Sequence, residues 1–331
     1  MRTVSGVCSY TRRVLKYRLP LGVLMIVGLI VLLALDNELD RLDLRGTMWQ
    51  TLFLGRAYLP AGLLVLAMFL VLQAFLLREI VLLIRATGSS ADGFMVWLSG
   101  FLGCVLIYIV PSGLDGSATV SVHASVMIGL FVMALARYTS SRRTDGAIVA
   151  VAVVMFAFVY AGLLPGFLLA IRRWHSAWML GAILLVIKSA DIGAYFVGRF
   201  FGRHKLIEWL SPKKTWEGLI GGLAVAAGLS VGLAALSNHY GWAGTWESVE
   251  DGRVYVPMGL SLVYVGLSGL VIAAVGQLGD LAASVFKRDA QAKDSGTGVP
   301  GFGGVLDVVD SPILAAPVAY WLLAAAPSVP A

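Results

Sequence analysis

The sequence predicts an all-α fold, a polytopic bundle of about nine transmembrane helices with no soluble β domain. Of its 331 residues, 59% are hydrophobic and 13% are charged, whereas soluble domains contain about 25% charged residues. The apolar residues also fall in blocks of roughly 17 to 25 residues, the length that crosses a hydrocarbon core of about 30 Å. Because a segment in lipid must satisfy its own backbone hydrogen bonds, each block is interpreted as a helix.

The predicted spans are apolar blocks joined by polar segments. In chain order they cover about 19–35, 58–77 (toward 84 if the apolar run continues), 93–110, 120–136, 147–170, 176–197, 216–236, 256–276 and 305–325. The fifth block contains Pro165 and Gly166, which favour an early end of its helix.

The net charge of +6 does not indicate a nucleic-acid partner, because the basic residues are dispersed at helix flanks, where they set topology and meet anionic lipid headgroups. The basic tail predicts a cytoplasmic N-terminus, and 19–35 is interpreted as an uncleaved signal anchor. Segments 188–217 and 277–310 then emerge on the same cytoplasmic face, where they can form one site. Arg172 and Arg173 fall on the outer side, as the exception to this orientation.

The first polar constellation lies in the sixth span. Lys188 and Asp191 share one face of an otherwise apolar helix at i, i+3 spacing. Ionisable residues inside a membrane are costly and usually face a partner, a cavity or a pathway. The pair is therefore interpreted either as part of a functional site or as a structural ion pair between packed helices.

The second constellation is the segment 211–218, which begins Ser-Pro-Lys-Lys. Ser211 as N-cap with Pro212 at the first helical position predicts that a helix begins here. A helix N-terminus binds anions readily, and two lysines at that end are unfavourable unless an anion such as phosphate is bound. The alternative is that Lys213 and Lys214 form a basic cytoplasmic flank that serves only topology.

The richest constellation covers residues 276–311. Asp280 lies at the end of one predicted span, and Asp307 and Asp310 lie at the start of the next. Carboxylates at these two helix mouths can hold a hard cation with oxygen ligands. The glycines between them let backbone N–H groups approach a phosphate. Three basic residues add positive charge, namely Lys287, Arg288 and Lys293. The segment matches neither a Walker A loop nor a Rossmann fingerprint, and it predicts a combined phosphate and metal site.

These residues resemble the C-terminal signature of the phosphatidate cytidylyltransferase (CDP-diacylglycerol synthase) family, S-x-x-K-R-x4-K-D-x-G-x3-P-G-H-G-G-x-x-D-R-x-D. The matching residues are Ser284, Lys287, Arg288, Lys293, Asp294, Gly296, Pro300, Gly301, Gly303, Gly304, Asp307 and Asp310. The segments 191–195, 211–222 and 279–281 are also similar to the family. The resemblance is specific over about residues 185–315, and the chain is identified as a divergent member.

The resemblance implies an integral membrane enzyme that transfers CMP from CTP to phosphatidic acid, giving CDP-diacylglycerol and pyrophosphate. It implies Mg²⁺, with room for a second cation, held by Asp280 and Asp307, and it requires no covalent nucleophile. The implied catalytic residues are Asp280, Asp307 and Lys287. The implied substrate-binding residues are Arg288, Lys293, Ser284, Lys205, Ser211, Lys213, Lys214, Gly303 and Gly304. The implied supporting residues are Asp191, Asp294 and Asp310.

The implied organisation is an acceptor pocket among the lipid-facing helices of residues 1–170 and a catalytic region, with cytoplasmic CTP- and metal-binding loops, in residues 171–331. The implied partners are CTP, phosphatidic acid or a related lipid phosphate, and membrane lipids. A bacterial inner membrane is the expected location. Glycines within the spans, as in 218–222 and 228–232, permit close helix packing, which can serve the fold or a homodimer.

Three residues depart from the family pattern. Phe302 replaces the usual His after Pro-Gly, Val308 replaces the Arg after the metal-binding Asp, and Ala283 replaces the Glu before the signature Ser. Each change removes a polar or charged group, so substrate choice or rate is expected to differ. The alternatives are CMP transfer to another lipid phosphate, a non-catalytic lipid- or nucleotide-binding homologue, and a transporter, which the clustering of charge on one face disfavours.

Overall fold

The computed structural model describes residues 4–52, 57–89, 92–110, 116–140, 146–249, 252–296, 298 and 303–327. The long helices in these ranges are α1 (Val4–Leu39), α3 (Leu63–Ala86), α4 (Gly93–Ile109), α5 (Gly116–Ser140), α8 (Ala177–Phe201), α9 (Trp216–Tyr240), α10 (Leu262–Asp289) and α11 (Val305–Ala324), together with the segment Ala147–Trp174. A short helix, α2, covers Met48–Leu52. Eight of the long segments could cross a membrane by length and composition, and α4 is a shorter apolar helix. The predicted all-α polytopic bundle is confirmed.

The predicted early end of the fifth span is wrong. Helix α6 (Ala147–Phe156), a π-helical segment (Ala157–Leu163) and α7 (Leu164–Trp174) follow one another directly. Pro165 lies in the first turn of α7, where a missing N–H is tolerated. The π-helical turn also re-routes the backbone hydrogen bonds just before the proline, since the N–H of Leu164 donates to the carbonyl of Val159.

Helix α10 continues to Asp289, well past the end predicted near residue 276. Lys287 and Arg288 therefore occupy the last turn of a helix rather than a loop, and basic side chains there are favourable for the helix dipole. Gly279, which lies beyond the predicted end of the span, is also inside this helix. A Cβ built at Gly279 would lie 2.6 Å from the carbonyl oxygen of Asp310, so the glycine allows α10 and α11 to touch.

The strands of the described chain form two antiparallel hairpins, β1 (Lys205–Ile207) with β2 (Ser211–Thr215), and β3 (Gly244–Val249) with β4 (Gly252–Pro257). The predicted helix start at Ser211 is therefore wrong. Pairing with β1 keeps residues 211–215 extended, and Thr215 is the N-cap of α9, its hydroxyl accepting a hydrogen bond from Gly218 N at 3.1 Å. Lys213 and Lys214 thus project from a strand.

Close packing of α8 on α9 depends on glycines, as the sequence predicts for 218–222. A Cβ at Gly218 would lie 2.7 Å from the Ala194 carbonyl oxygen, and one at Gly222 would lie 2.5 Å from that of Ala190. The second predicted pair behaves differently. Among the described residues, no heavy atom lies within 4 Å of a Cβ built at Gly228 or Gly232, so these glycines do not contribute to packing within the chain.

A fully buried charge cluster joins α1 to α7. Arg172 is 0% exposed, and its guanidinium donates to Asp36 and to Asp40, both at 2.5 Å. The other oxygen of Asp36 accepts from the N–H groups of Leu64 and Val65 at the start of α3. Burial raises the pKa of Asp40, which lies just beyond α1, against the opposing effect of Arg172. One arginine thus fixes three helices to one another.

This cluster also accounts for the exception to the predicted orientation. The charge of Arg172 is neutralised inside the protein, so it is not an exposed positive flank. The guanidinium of Arg173 donates to the carbonyls of Tyr108 at 3.0 Å and Val110 at 2.6 Å, at the end of α4, where a cation is favourable.

We expect Arg172→Met to lower the free energy of unfolding by about 3 to 5 kcal/mol, because it leaves two buried carboxylates without their cation. Arg41→Ala is the matched control, since the pair that Arg41 makes with Glu38 at 3.3 Å is exposed and is worth less than about 1 kcal/mol. Thermal unfolding in detergent measures both. Equal melting temperatures for the two variants would contradict the claim that this cluster stabilises the fold.

The burial of His175 is expected to make the free energy of unfolding depend on pH. It lies between α7 and α8, where burial lowers the pKa of its imidazole from 6.5 to about 4. The unfolded chain therefore binds a proton that the folded chain does not, and this contribution to stability is lost as the pH falls from about 6.5 toward 4. We expect a loss of about 1 to 2 kcal/mol between about pH 7.5 and pH 5, and His175→Gln should remove that part of the slope in thermal melts.

Candidate active site

A polar cavity of 580 Å³ lies where α8, the β1–β2 hairpin and the start of α9 meet the facing parts of α10 and α11. It brings together eight of the residues that the sequence proposes for a site. They are Asp191, Lys213, Lys214, Asp280, Lys287, Asp294, Asp307 and Asp310. Segments more than a hundred residues apart thus form one surface, as expected from their predicted position on one side of the bundle.

The remaining proposed residues do not line this cavity. On the hairpin, Lys205 donates to the carbonyl of Pro212 at 2.7 Å and so braces the turn, and Ser211 pairs with Ile207. On α10, Arg288 is exposed and donates to the carbonyl of Ala292 at 3.3 Å. Ser284 is half-buried, and Lys293 is exposed beyond the helix end. Their assignment to substrate binding stays a prediction.

Gly303 and Gly304 make contacts within the protein. Gly303 has a φ of +101°, and a Cβ there would lie 2.5 Å from the Asp307 carboxylate. The N–H of Gly304 donates to that same carboxylate at 2.9 Å. The close backbone approach predicted for these glycines therefore occurs, and in this structure it is an approach to a protein carboxylate. Whether they also contact phosphate stays a prediction.

One end of the cavity is built around Gln277, which the sequence analysis did not select. Its amide accepts from Lys214 Nζ at 3.2 Å and donates to Asp191 at 2.7 Å. Lys214 also pairs with Asp280 at 2.8 Å. Gln277 lies one helical turn before Asp280 on α10, so this i, i+3 spacing in a largely apolar helix was a signal that the sequence contained.

Lys188 connects α8 to α11. Its ammonium lies 3.1 Å from Asp191 and 3.8 Å from Asp310, and the hydroxyl of Ser311 donates to Asp191 at 3.2 Å. Both interpretations of the Lys188–Asp191 pair therefore apply. The pair joins packed helices, and it also lines the cavity.

Both oxygens of the Asp307 carboxylate accept hydrogen bonds. One oxygen accepts from Lys287 Nζ at 2.6 Å. The other accepts from Gly304 N and from Ser295 N, both at 2.9 Å, and the Ser295 hydroxyl oxygen lies 3.1 Å from it. Asp307 is the third residue of α11, and its carboxylate accepts from the N–H of the N-cap residue Gly304, so it satisfies one donor at the helix N-terminus. It holds the signature loop and Lys287 together.

The basic and acidic side chains around the cavity are equal in number. Five cationic side chains (Lys188, Arg199, Lys213, Lys214 and Lys287) face five carboxylates (Asp191, Asp280, Asp294, Asp307 and Asp310). Four of these ion-pair contacts lie within 4 Å, and Lys213 makes none with the described residues. Such a lining suits an anion bound together with a cation, because each lysine can exchange a carboxylate for a phosphate oxygen without burying net charge.

The donor set fits a hard cation best at Asp280 and Asp310. Both residues line the cavity, and carboxylate oxygen donors suit Mg²⁺. Asp307, the second residue that the resemblance implies, has both oxygens engaged. Among the described residues, no group of three or more His, Cys, Asp or Glu side chains forms a ready-made metal cluster, so a cation here would complete its shell with water or substrate oxygens.

The departures from the family pattern have different surroundings. Ala283 is fully buried on α10. Val308 is half-buried on α11. Phe302, with Pro300 and Gly301 of the signature, lies outside the described residues.

The fold and this cavity define a polytopic helical membrane protein with a cavity lined by charged side chains. The model of the cytidylyltransferase family matches residues 41–326. The phosphatidate cytidylyltransferase of Bacillus subtilis (strain 168) is 31% identical over 235 residues, covering 70% of this chain and 80% of its own. That of Staphylococcus saprophyticus is 30% identical over 263 residues, covering 79% and 91%. The Haemophilus influenzae enzyme of the same name is 39% identical over 144 residues, 44% and 45% of the two chains.

This chain belongs to the cytidylyltransferase family, and the resemblance seen in the sequence is confirmed.

We expect Gly279→Ala to distort the site. The added methyl group would meet the Asp310 carbonyl and the Ser311 backbone, and such overpacking costs about 1 to 3 kcal/mol. Activity and melting temperature should both fall. Gly228→Ala, in an open helical position, is the matched control and should leave activity intact and stability unchanged or higher by up to about 1 kcal/mol. Equal behaviour of the two variants would contradict the contact between α10 and α11.

Proposed function

We propose that this protein transfers CMP from CTP to phosphatidic acid, giving CDP-diacylglycerol and pyrophosphate. The observation that carries the proposal is the charge-balanced cavity, formed by the part of the chain that matches the family. The relatives named above are each called phosphatidate cytidylyltransferase, and two of them align over most of both chains. A phospholipid acceptor also suits a site built at the end of a transmembrane bundle.

The reaction is a displacement at phosphorus. A phosphate oxygen of phosphatidic acid forms a bond to the α-phosphorus of CTP, and the bond from that phosphorus to the bridging oxygen breaks, so that pyrophosphate leaves with the electron pair. The acceptor is already an anionic oxygen, so the protein need not supply a covalent nucleophile. Its task is to place two strongly anionic reactants side by side and to stabilise charge on the leaving group.

Lysine side chains around the cavity perform this task. Lys213, an exposed residue on the hairpin, is available to the first phosphate that enters. Lys214 and Lys287 are held by Asp280 and Asp307 at 2.8 and 2.6 Å. A phosphate oxygen is an equivalent acceptor for either ammonium group, so both lysines are already positioned to clamp the nucleotide.

The cation would be held by Asp280, with Asp310 as the second carboxylate and Asp307 joining only if Lys287 turns to a phosphate. This revises the pair that the resemblance implies, because the contacts of Asp307 already fill its oxygens. A bound Mg²⁺ supplies charge neutralisation for the triphosphate and the departing pyrophosphate. We propose no second carboxylate pair for the second cation that the resemblance implies.

We also propose that the cavity opens to the cytoplasm, where CTP is found, and that the protein resides in a bacterial inner membrane. The supporting observation is that basic residues of 199–214 flank the cavity, as the positive-inside rule requires. The buried neutralisation of Arg172 removes the main exception. On this proposal residues 1–170 contribute to an acceptor pocket, while 171–331 supply most of the catalytic groups.

The test is conversion of phosphatidic acid by the purified full chain with CTP, in Mg²⁺ or in chelator. We expect turnover that requires the cation, and Asp280→Asn should lower kcat/KM by about 10²- to 10³-fold because it removes charge from the cation site. Asp289→Asn is the matched control, since Asp289 lies on the same helix, exposed and outside the cavity.

Wild-type protein that binds CTP without converting phosphatidic acid would overturn the proposal. Other lipid phosphates would then be tested as acceptors, and failure with all of them would leave the non-catalytic homologue. Activity retained by Asp280→Asn would instead reject the assigned cation site while leaving the reaction in place.

A further inference from the structure

Glu79 is a buried acid in α3, far in sequence from the signature segment. Its residue exposure is 6%. Its carboxylate accepts from Val305 N at 2.7 Å, from Leu306 N at 2.9 Å and from the Ser295 hydroxyl at 2.8 Å. The first two donors are the opening N–H groups of α11, so Glu79 occupies the anion-binding position at this helix N-terminus.

The glycines of the signature segment surround this carboxylate. A Cβ built at Gly304 would lie 2.2 Å from a Glu79 oxygen, and Cβ atoms at Gly296 and Gly298 would lie 3.1 and 3.2 Å from the other. A side chain at Gly304 would force the Ser295 hydroxyl and the Glu79 carboxylate to move, and the other two contacts are tighter than ordinary packing. These three glycines thus form a socket for a carboxylate that comes from the N-terminal part of the chain.

Glu79 is connected to the cavity through one residue. The Ser295 hydroxyl contacts both Glu79 at 2.8 Å and Asp307 at 3.1 Å, and Ser295 N donates to Asp307 at 2.9 Å. Asp307 in turn holds Lys287 at 2.6 Å. A displacement of Glu79 would therefore move the start of α11 and the Asp307–Lys287 pair together.

Breaking the hydrogen bonds between Glu79 and the start of α11 is costly in free energy. An ionised carboxylate buried without partners is very costly, whereas three charge-assisted hydrogen bonds compensate it. Removal of Glu79 would leave two buried backbone N–H groups without their acceptor, since no competing side chain at that site accepts from them in the described structure. The signature segment is thereby held by an element that contributes nothing to the cavity lining.

We propose that Glu79 is a positioning residue for CMP transfer. It does not touch the cavity. It fixes the start of α11 and, through Ser295, the Asp307–Lys287 pair that faces the nucleotide phosphates. The inference deepens the proposed function and rests on it for the kinetic measurement, while the same contact has a readout that needs no turnover.

The decisive experiment compares Glu79→Gln with wild type in steady-state assays that vary CTP and phosphatidic acid separately. A Gln places an NH₂ group where the carboxylate accepts, so at least one N–H of α11 loses its partner. We expect KM for CTP to rise about tenfold, the effect of one lost buried hydrogen bond to a charged group, with KM for phosphatidic acid unchanged. Ser295→Ala should shift KM for CTP in the same direction by a smaller factor, and the double variant should be less than multiplicative.

The matched control is Gln73→Ala. Gln73 lies on the same helix and is 2% exposed, but it donates to the carbonyls of Gly100 and Ala161 on α4 and the π-helical segment rather than to the signature segment. This variant should lower the melting temperature while leaving KM for CTP unchanged. A merely structural role for Glu79 would make the two variants alike, and that result would overturn the proposal.

Two further measurements keep the test decisive. If Glu79→Gln does not fold, Glu79→Asp, which keeps the charge but shortens the reach, should show the same selective rise in KM for CTP; an unchanged value would reject the proposal. If the wild type does not convert phosphatidic acid, the proposed function fails but the role of Glu79 does not fail with it. That role is then tested by hydrogen exchange at Val305 and Leu306, together with CTP binding measured by equilibrium dialysis. Faster exchange with weaker CTP binding in Glu79→Gln supports the link, and unchanged CTP binding refutes it.

Discussion

Ionisable side chains inside an apolar bundle must find partners, because water is not available to solvate them, and this constraint organises both ends of the molecule. At one end Arg172 is enclosed by Asp36 and Asp40 and ties α1, α3 and α7 together. At the other end lysines and aspartates alternate around an open cavity. The two sets differ in access. The first is sealed and structural, whereas the second can exchange an internal partner for a substrate phosphate or a cation.

A charged side chain can exchange an internal partner for a substrate phosphate or a cation only if the charged groups lie close together on a rigid backbone. Glycine makes this possible at two contacts. Gly218 and Gly222 bring α9 against α8, next to the hairpin that carries the lysines, and Gly279 brings α10 against α11, so that Asp280 and Asp310 line the same cavity. The helices can then present long lysine side chains into a narrow space without leaving voids behind them.

The N-terminal part of the chain contributes to the site without lining it. Glu79 reaches the start of α11 and the glycines around it, and Asp307 caps the same helix from within. Two carboxylates therefore satisfy N–H groups for which the glycine pattern alone predicted a phosphate. A glycine-rich segment beside a helix start can serve either purpose, since the backbone geometry is the same, and only the position of α3 distinguishes them.

The sequence by itself determined the helical membrane class, the nine apolar segments and the family signature, because hydrophobic length and motif spacing are local properties. It also selected eight of the residues that line the cavity. It did not determine the strand at Ser211, the helical course of 277–289, or the uninterrupted passage through Pro165, since these depend on pairing and packing with distant segments. It also left out Gln277 and Glu79, although a polar residue in an apolar run was a visible signal. Only the tertiary structure decided which carboxylate faces a lysine, which caps a helix and which remains open to a cation, because those roles depend on the distances between side chains of different helices.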